Sequence, residues 1–471
     1  MSATERPTKP PLVESASRRL FDPPWSTQSI IALIAIVALE TVFGAMARLG
    51  DLSIHIPEFM ALALGAGVLY FIALYALEHT HDSRAVLWIV MLGALAFRLT
   101  LFPYPPSLST DVHRYRWDGH VQNAGWNPYA VAPTDPRLEA LRDPGWAVMP
   151  APEIPTMYPP LSELIFRATW RVLPGPVGFK LPFLLGDLAV AAMLAGWIRS
   201  TGGRNYQIAI YAWNPLVVVE FASSGHNDAL AIAGVVATLL IIRRFPAMST
   251  LTLTAGALSK AFPIVLLPLA LFRAGWPRRL RGWIAAAGCA ALAAMCVWPF
   301  RHAGHEFLGM LKYYQVIWRN YNSSICPVLL WASGSHEIAA GIGEGVVLGL
   351  ALWLAVRRAD PTRAAFLLIG TVLLFAPNGY SWYFTWIVPL LCFYPSAAWL
   401  LLTILQFLSY KIFINYRAVG DWHFDPFFQW LTYAPFYALL GWEMLRRSRA
   451  MSPPDDATPL RKPHVTSLQL E

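Results

Sequence analysis

The carboxylate best placed to do chemistry in this chain is Asp111, within Ser109-Thr110-Asp111-Val112-His113-Arg114-Tyr115-Arg116-Trp117-Asp118-Gly119. That run lies in a polar, aromatic island, residues 103–160, which continues through Asn127-Pro128-Tyr129 and closes on Tyr158-Pro159-Pro160. Further polar clusters interrupt apolar stretches at His226-Asn227-Asp228, Lys260, Arg301-His302, Lys312, Arg319-Asn320 and Asn378-Gly379-Tyr380-Ser381-Trp382. Charged groups at a membrane border commonly mark a substrate path or a reaction centre. Carboxylates, cations and aromatics gathered at one water–lipid boundary suit the attack of a hydroxyl on a sugar joined to a lipid phosphate. In that chemistry a carboxylate takes the hydroxyl proton. Arg114, Lys260 and Arg319 neutralise the departing phosphate. Arg116, Trp117, Tyr129, Tyr158, Tyr380 and Trp382 contact the sugars, and His226, Asn227 and Asp228 shape the acceptor side.

Each group also has an ordinary role open to it. Ser-Thr-Asp is good capping sequence, so Asp111 could cap a helix. Arg114 and Arg116 could anchor headgroups, and His226-Asn227-Asp228 could be a polar turn before the next span. Lys260 could snorkel to the interface. Glu153 and Asp143 read as solvated loop charges, and most Trp and Tyr near the borders as an aromatic belt.

The elements that must position these groups are membrane spans. The chain of 471 residues is 56% hydrophobic and only 14% charged, against roughly a quarter charged in soluble proteins. Apolar runs long enough to span recur along almost the whole length, so the fold class is an all-α polytopic membrane protein. Expected spans start near Ile30, Pro57, Ala85, Val177 and Tyr206, with Leu161–Leu173 as a helix lying in the interface. Between Thr250 and Phe272 the positive-inside bias of Arg273, Arg278, Arg279 and Arg281 favours two half-helices turning at Lys260-Ala261-Phe262-Pro263 over a single span. Span nine and five later spans bring the total to about 12–14 crossings, both termini cytoplasmic and the polar clusters on the outer face. The mid-span segments read as nearly all apolar.

Residues 1–28 and 447–471 read as disordered cytoplasmic tails around a membrane domain at 29–446, in which 103–174 is the outer loop with its interfacial helix. The net charge of +8 is distributed in short turns, without a basic face or binding motif, which argues against nucleic acid. Cys289, Cys296, Cys326 and Cys392 form no CxxC pair and have no histidine at zinc-ligand spacing.

Thr-Asp-Val-His-Arg-Tyr-Arg-Trp-Asp-Gly-His-Val-Gln-Asn-Ala-Gly-Trp-Asn-Pro-Tyr followed by Tyr-Pro-Pro-Leu resembles the first large loop of bacterial GT-C glycosyltransferases. It is most similar to the polyprenyl-phosphate-mannose-dependent mannosyltransferases of actinobacterial type. Ser-Gly-His-Asn-Asp-Ala-Leu at 224–230, Ser-Lys-Ala-Phe-Pro-Ile-Val-Leu-Leu-Pro at 259–268 and Trp318-Arg319-Asn320-Tyr321-Asn322-Ser323-Ser324 follow the same pattern. Tyr380-Ser381-Trp382-Tyr383 looks like the late Pro-Trp-Tyr motif, with Ser381 in place of Pro. Relatives often carry two adjacent acids in the first loop and a Tyr two positions later. Here Thr110 and His113 stand there, which concentrates the weight on Asp111.

The resemblance implies a GT-C-like bundle, inverting transfer of a hexose (mannose first) from a polyprenyl-phosphate donor, and Asp111 as base. The partners would be that donor, a lipid or glycan acceptor and membrane lipids, in a bacterial inner membrane with the active site periplasmic. No cofactor is implied with certainty, and a divalent metal stays open without any ligand spacing to indicate it. The rival function is a lipid-linked sugar flippase or transporter. A membrane assembly protein that uses the loop to bind a partner is a third.

Overall fold

The computed structural model describes residues 27–304, 306–307, 322–420 and 424–451. Among these the fold is all helical. In order they are α1 (Thr27–Arg48), α2 (Ile56–Glu78), α3 (Arg84–Leu101), α4 (Asp111–Asn123), α5 (Pro160–Val172), α6 (Pro176–Ser200), α7 (Tyr206–Ala212), α8 (Pro215–Val218), α9 (Asp228–Ile241), α10 (Pro246–Ser259), α11 (Leu267–Ala274), α12 (Leu280–Val297), α13 (Cys326–Ser333), α14 (His336–Val356), α15 (Pro361–Phe375), α16 (Val388–Leu391), α17 (Ala397–Leu405), α18 (Ile412–Val419) and α19 (Pro426–Met451). Among the described residues seven helices are long and apolar enough to cross a membrane: α1, α2, α3, α6, α12 with the turn after it, α14 and the stretch 397–418 through α17 and α18. Three shorter apolar helices, at 228–241, 262–274 and 361–375, accompany them. This is a polytopic integral membrane protein.

Local sequence explains where helices start. Ser83, Ser335, Asp360 and Ser396 cap α3, α14, α15 and α17 by accepting a first-turn N–H, and Pro176, Pro215, Pro246 and Pro361 occupy the first turn, where no N–H is needed. α9 and α10 meet at Gly234 and Gly256, where a methyl group on Gly234 would lie 2.7 Å from the Gly256 Cα. Small residues let the backbones touch, a recurrent device in membrane helix packing.

Hydrogen bonds sort the connections into two ends. At one, rich in arginine, Arg204 binds the Glu78 and Thr80 carbonyls, Arg243 pairs with Asp360, and Arg273 binds the Arg358 and Ala359 carbonyls. At the other, Arg417 binds Ser53, Asn127 binds the Phe300 carbonyl and Asn322 binds the Gly379 carbonyl. The helices pass back and forth between these ends.

The stretch 246–274 is a hairpin, not one span. α10 runs from the arginine end to Ser259, whose carbonyl accepts from Asn227 at the far end. The chain becomes extended at Lys260 (φ −153°, ψ 137°). It then returns through Phe262–Leu266 and α11 to Arg273 at the arginine end. The arginine cluster after 272 is thereby kept with the others.

The polar island folds into a lid of its own. α4 and α5 pack together, and Trp117, Val121, Val131, Leu138 and Met149 form a small apolar core apart from the main one. The stretch expected as an interfacial helix is α5, and it buries Glu163 completely against the lid.

One expectation is corrected. The helices are not apolar throughout: Arg98, Lys180, Asp187 and Glu220 are all fully buried inside them. Arg98 pairs with Asp187, which also accepts from Tyr211, while Lys180 is held by the Tyr104, Ala222 and Ser223 carbonyls. Each is a single charge in a long apolar run, which hydropathy averaging conceals.

Candidate active site

Three elements converge at the far end: the start of α4, the turn between α8 and α9, and the hairpin tip. Asp111 is the first residue of α4, and the cap position belongs to Thr110, which makes no side-chain cap bond. The Asp111 side chain is 20% exposed. Among the described residues no hydrogen bond to its carboxylate is formed, while its N–H donates to Ser109 Oγ at 3.3 Å. The capping role open to it in the sequence is therefore not the one it takes.

Against Asp111 stands the turn 223–228. α8 ends in a single π-helical turn, Val219–Ser223, and Gly225 follows with φ +72°. A side chain on Gly225 would strike the Lys180 stem, 2.6 Å from where its Cβ would sit. One-turn π segments shift the helical register and are frequent at functional sites. The result delivers His226, Asn227 and Asp228 inward, all fully buried. His226 Nε2 lies 3.0 Å from Ser109 Oγ and 3.9 Å from Asp111 Oδ2, and its Nδ1 lies 3.0 Å from Glu220 Oε2. Asn227 bridges the lid to the hairpin, donating to Ser162 Oγ and the Ser259 carbonyl and accepting from Tyr115. Asp228 accepts from Trp386 Nε1 at 2.7 Å and pairs with Lys260 Nζ at 3.0 Å.

Lys260 is 17% exposed, and its ammonium lies over the Tyr158 and Tyr383 rings, 5.9 Å from each centroid. A stack of Tyr380, Trp382 and His226 forms one wall, with centroids 4.6 and 4.1 Å apart. Burial pushes the Tyr115 and Tyr158 phenols well up, and the Asp111 carboxylate adds to both. These hydroxyls stay protonated donors at neutral pH.

The structure therefore brings Asp111, His226, Asn227, Asp228, Lys260, Tyr158, Tyr380 and Trp382 together. It sends four expected site residues elsewhere. Arg114 is buried in the lid, bound to both Asp118 oxygens at 3.0 and 3.1 Å and to the Ala151 and Ile154 carbonyls. Its guanidinium is held by these four acceptors within the lid. Arg116 ties the Pro174 carbonyl and Asp143, and Trp117 belongs to the small lid core. Tyr129 donates to the Tyr158 carbonyl and packs on Phe300. Arg319 and Lys312 lie outside the described residues.

Glu163 and Asp118 form a further buried acidic pair beneath the lid. Burial and the adjacent Asp118 hold the Glu163 carboxyl well above the usual range, and Thr156 and Gln122 donate to it. Among the described residues no cluster of three or more His, Cys, Asp or Glu side chains is placed to hold a metal ion.

An all-helical membrane body with acid, cation and aromatic groups gathered at one end defines the class as an integral membrane protein with a polar site at one end of its helices. The family follows from comparison: residues 33–275 match the alpha-(1->6)-mannopyranosyltransferase family over its N-terminal domain, more than half of the chain, and the chain belongs to that family. It is thus an integral membrane glycosyltransferase, as the first-loop resemblance implied. Alpha-(1->6)-mannopyranosyltransferase A of Mycobacterium tuberculosis is 24% identical over 438 residues, covering 85% of this chain and 80% of the relative. No solved structure matches. The family match covers Asp111, the 226–228 turn and Lys260.

Glu220 was not singled out from the sequence, nor were Lys180 and Ser109. The available signal was a lone charge inside an apolar run, Glu220 and Lys180 alike.

Proposed function

We propose that this glycosyltransferase moves a mannosyl group from a polyprenyl-phosphate donor to a hydroxyl of a lipid or glycan acceptor, with inversion and with Asp111 as general base. The observation that carries this reading is a partly exposed carboxylate, without a hydrogen-bond partner among the described residues, at the edge of an otherwise buried polar cluster. A carboxylate in that state is free to accept a proton. Lys260 supplies positive charge to the leaving phosphate, drawn from its pairing with Asp228. The Tyr380–Trp382–His226 stack offers flat faces to sugar rings.

The family and the mycobacterial relative carry the name of α-product enzymes. Formation of an α-mannoside with inversion requires a β-linked donor. The arginine-rich end is assigned to the cytoplasm by the positive-inside rule, which places both termini there and Asp111 on the periplasmic side of a bacterial inner membrane. Arg319 is retained as a second phosphate contact from its place in the Trp318–Ser324 motif.

The test uses full-length protein in lipid nanodiscs with β-linked polyprenyl-phosphate mannose and octyl α-mannoside as acceptor. An α-linked dimannoside is expected, and Asp111→Asn should abolish it while donor binding persists. Full transfer by Asp111→Asn, or a product retaining the donor's configuration, overturns the proposal.

A further inference from the structure

Beneath Asp111 lies a buried chain of groups, Ser381, Tyr410 and Glu220, that have no role in the scheme above and end on His226. Tyr410 donates to Glu220 Oε1 at 2.8 Å, and Ser381 donates to the Tyr410 hydroxyl at 3.2 Å. Glu220 Oε2 lies 3.0 Å from His226 Nδ1. On the far side of the ring, Nε2 faces Ser109 Oγ at 3.0 Å and Asp111 Oδ2 at 3.9 Å. Glu220 and His226 are both fully buried.

The pattern sets the ring's protonation. A carboxylate only accepts, so the proton of the neutral imidazole sits on Nδ1. Nε2 then carries a lone pair and accepts from the Ser109 hydroxyl, whose oxygen in turn accepts the Asp111 N–H. The 3.0 Å approach of Nδ1 to the Glu220 carboxylate leaves the basic nitrogen aimed at the side of Asp111.

We infer that Glu220 is a positioning residue that holds His226 ready to take from Asp111 the proton Asp111 removes from the acceptor. This rests on the base assignment proposed above. An acceptor oxygen lone pair forms the bond to the anomeric carbon, and the carbon–oxygen bond to phosphate breaks with its electron pair leaving on the phosphate. The hydroxyl proton goes to Asp111, then to Nε2 of His226, and finally to water once product leaves. The 3.9 Å separation is about 1 Å beyond a hydrogen bond, a gap that rotation of the Asp111 side chain closes. Asp111 thereby returns to its carboxylate form.

The groups facing His226 are Asp111, Ser109, Glu220, and the Trp382 face stacked by Tyr380. Tyr410 acts through Glu220, Lys180 through the Ala222 and Ser223 carbonyls, and the Asp228–Lys260 pair lies two residues along. Of these, only Glu220 and its partner Tyr410 lie behind Nδ1, so they can be changed without touching the acceptor side.

The experiment measures kcat and donor KM against pH for the full-length protein in nanodiscs with polyprenyl-phosphate mannose and octyl α-mannoside. Transfer requires a neutral ring, so activity falls on the acid side as the ring protonates. Glu220→Gln should lower kcat by about 10²-fold, leave donor KM unchanged, and move the acid limb to lower pH. Tyr410→Phe should move that limb the other way, because Glu220 loses a hydrogen bond and its charge acts more fully on the ring. A structural role for Glu220 would lower the amount of folded protein and leave the limb in place. Unmoved limbs in both variants, or a loss confined to KM, overturn the inference. If Glu220→Gln does not fold, the Tyr410→Phe limb decides. Full activity in Asp111→Asn would instead remove the base assignment itself, so the two failures are told apart.

Discussion

Lys260 and Asp228 give the sharpest test, because stability and catalysis should separate there. Their charges lie 3.0 Å apart with Asp228 fully buried, and among the described residues the other hydrogen-bond donor to that carboxylate is the Trp386 N–H. Lys260→Met leaves a buried carboxylate without its counter-charge. Breaking a buried pair from one side costs about 3–5 kcal/mol. The slight exposure of Lys260 puts the expected cost near the lower end, about 3 kcal/mol. Asp228→Asn should cost less, since an amide oxygen still accepts from Trp386 and Lys260 can turn to water. The double variant Lys260→Met/Asp228→Asn removes both charges and should recover most of the stability, a coupling of about 2 kcal/mol. Activity should behave differently. If the ammonium stabilises the leaving phosphate, its loss costs about 10²–10³ in kcat, as for a donor at an oxyanion. Neutralising Asp228 does not replace it. The assays are thermal unfolding in detergent and mannosyl transfer in nanodiscs on the three variants and the wild type. Recovery of transfer in the stable double variant would refute the reasoning, since Lys260 would then serve only to neutralise Asp228.

Asp111→Asn should lower transfer by about 10²–10⁴-fold with donor binding intact, measured by turnover and by donor titration. Glu163→Gln should remove a pH dependence of the lid. The Glu163 carboxyl is held well above its ordinary value of 4.5 by burial and by Asp118, so lid stability is full below that value and declines as pH rises toward the folded value. Amide protection across residues 111–123 and 160–172, corrected for the intrinsic rise of exchange with pH, should fall with pH in the wild type and stay level in the variant. Arg98→Met alone should destabilise by about 3–5 kcal/mol, because Asp187 is left charged and buried. Arg98→Met/Asp187→Leu should recover most of that in the same unfolding assay.

The parts of this molecule legible in the sequence are those where polarity breaks a pattern. The hairpin at Lys260 could be read from arginines that a single span would strand on the wrong side. Asp111, Lys260 and the 226–228 turn stood out as charges at the ends of apolar runs. Inside α4 the reading failed for a geometric reason. A helix distributes a polar run around its circumference, at 3.6 residues per turn. Asp111 and Tyr115, four apart, share the face toward the site. Arg114 and Asp118, also four apart, pair on another face against the 151–154 segment. Arg116 points to Asp143 and Trp117 into the lid core. Proximity in sequence grouped residues that the helix separates. Arg98, Lys180, Asp187 and Glu220 were missed for the opposite reason, since one charge barely alters the mean of a long apolar window.

Those buried charges bear on the rival reading of the protein as a flippase. Charges near the centre of a membrane helix are what a transporter uses, and their presence removes the argument that the helices are apolar throughout. Their bonding nevertheless points to fixed structure. Arg98 binds Asp187 on α6 and the Ala212 carbonyl at the end of α7, locking three helices. Lys180 binds carbonyls on both sides of the path to the site, Tyr104 before α4 and Ser223 before His226. Rocking of α3 or α6 would strip each cation of its partners at a cost of several kcal/mol per ion. The same contacts set the spacing between the start of α4 and the 226–228 turn, across which Asp111 faces His226. A transferase needs that separation held to within about 0.5 Å, whereas alternating access needs it to change. The buried charges therefore favour an enzyme whose framework stays still while substrates come to it.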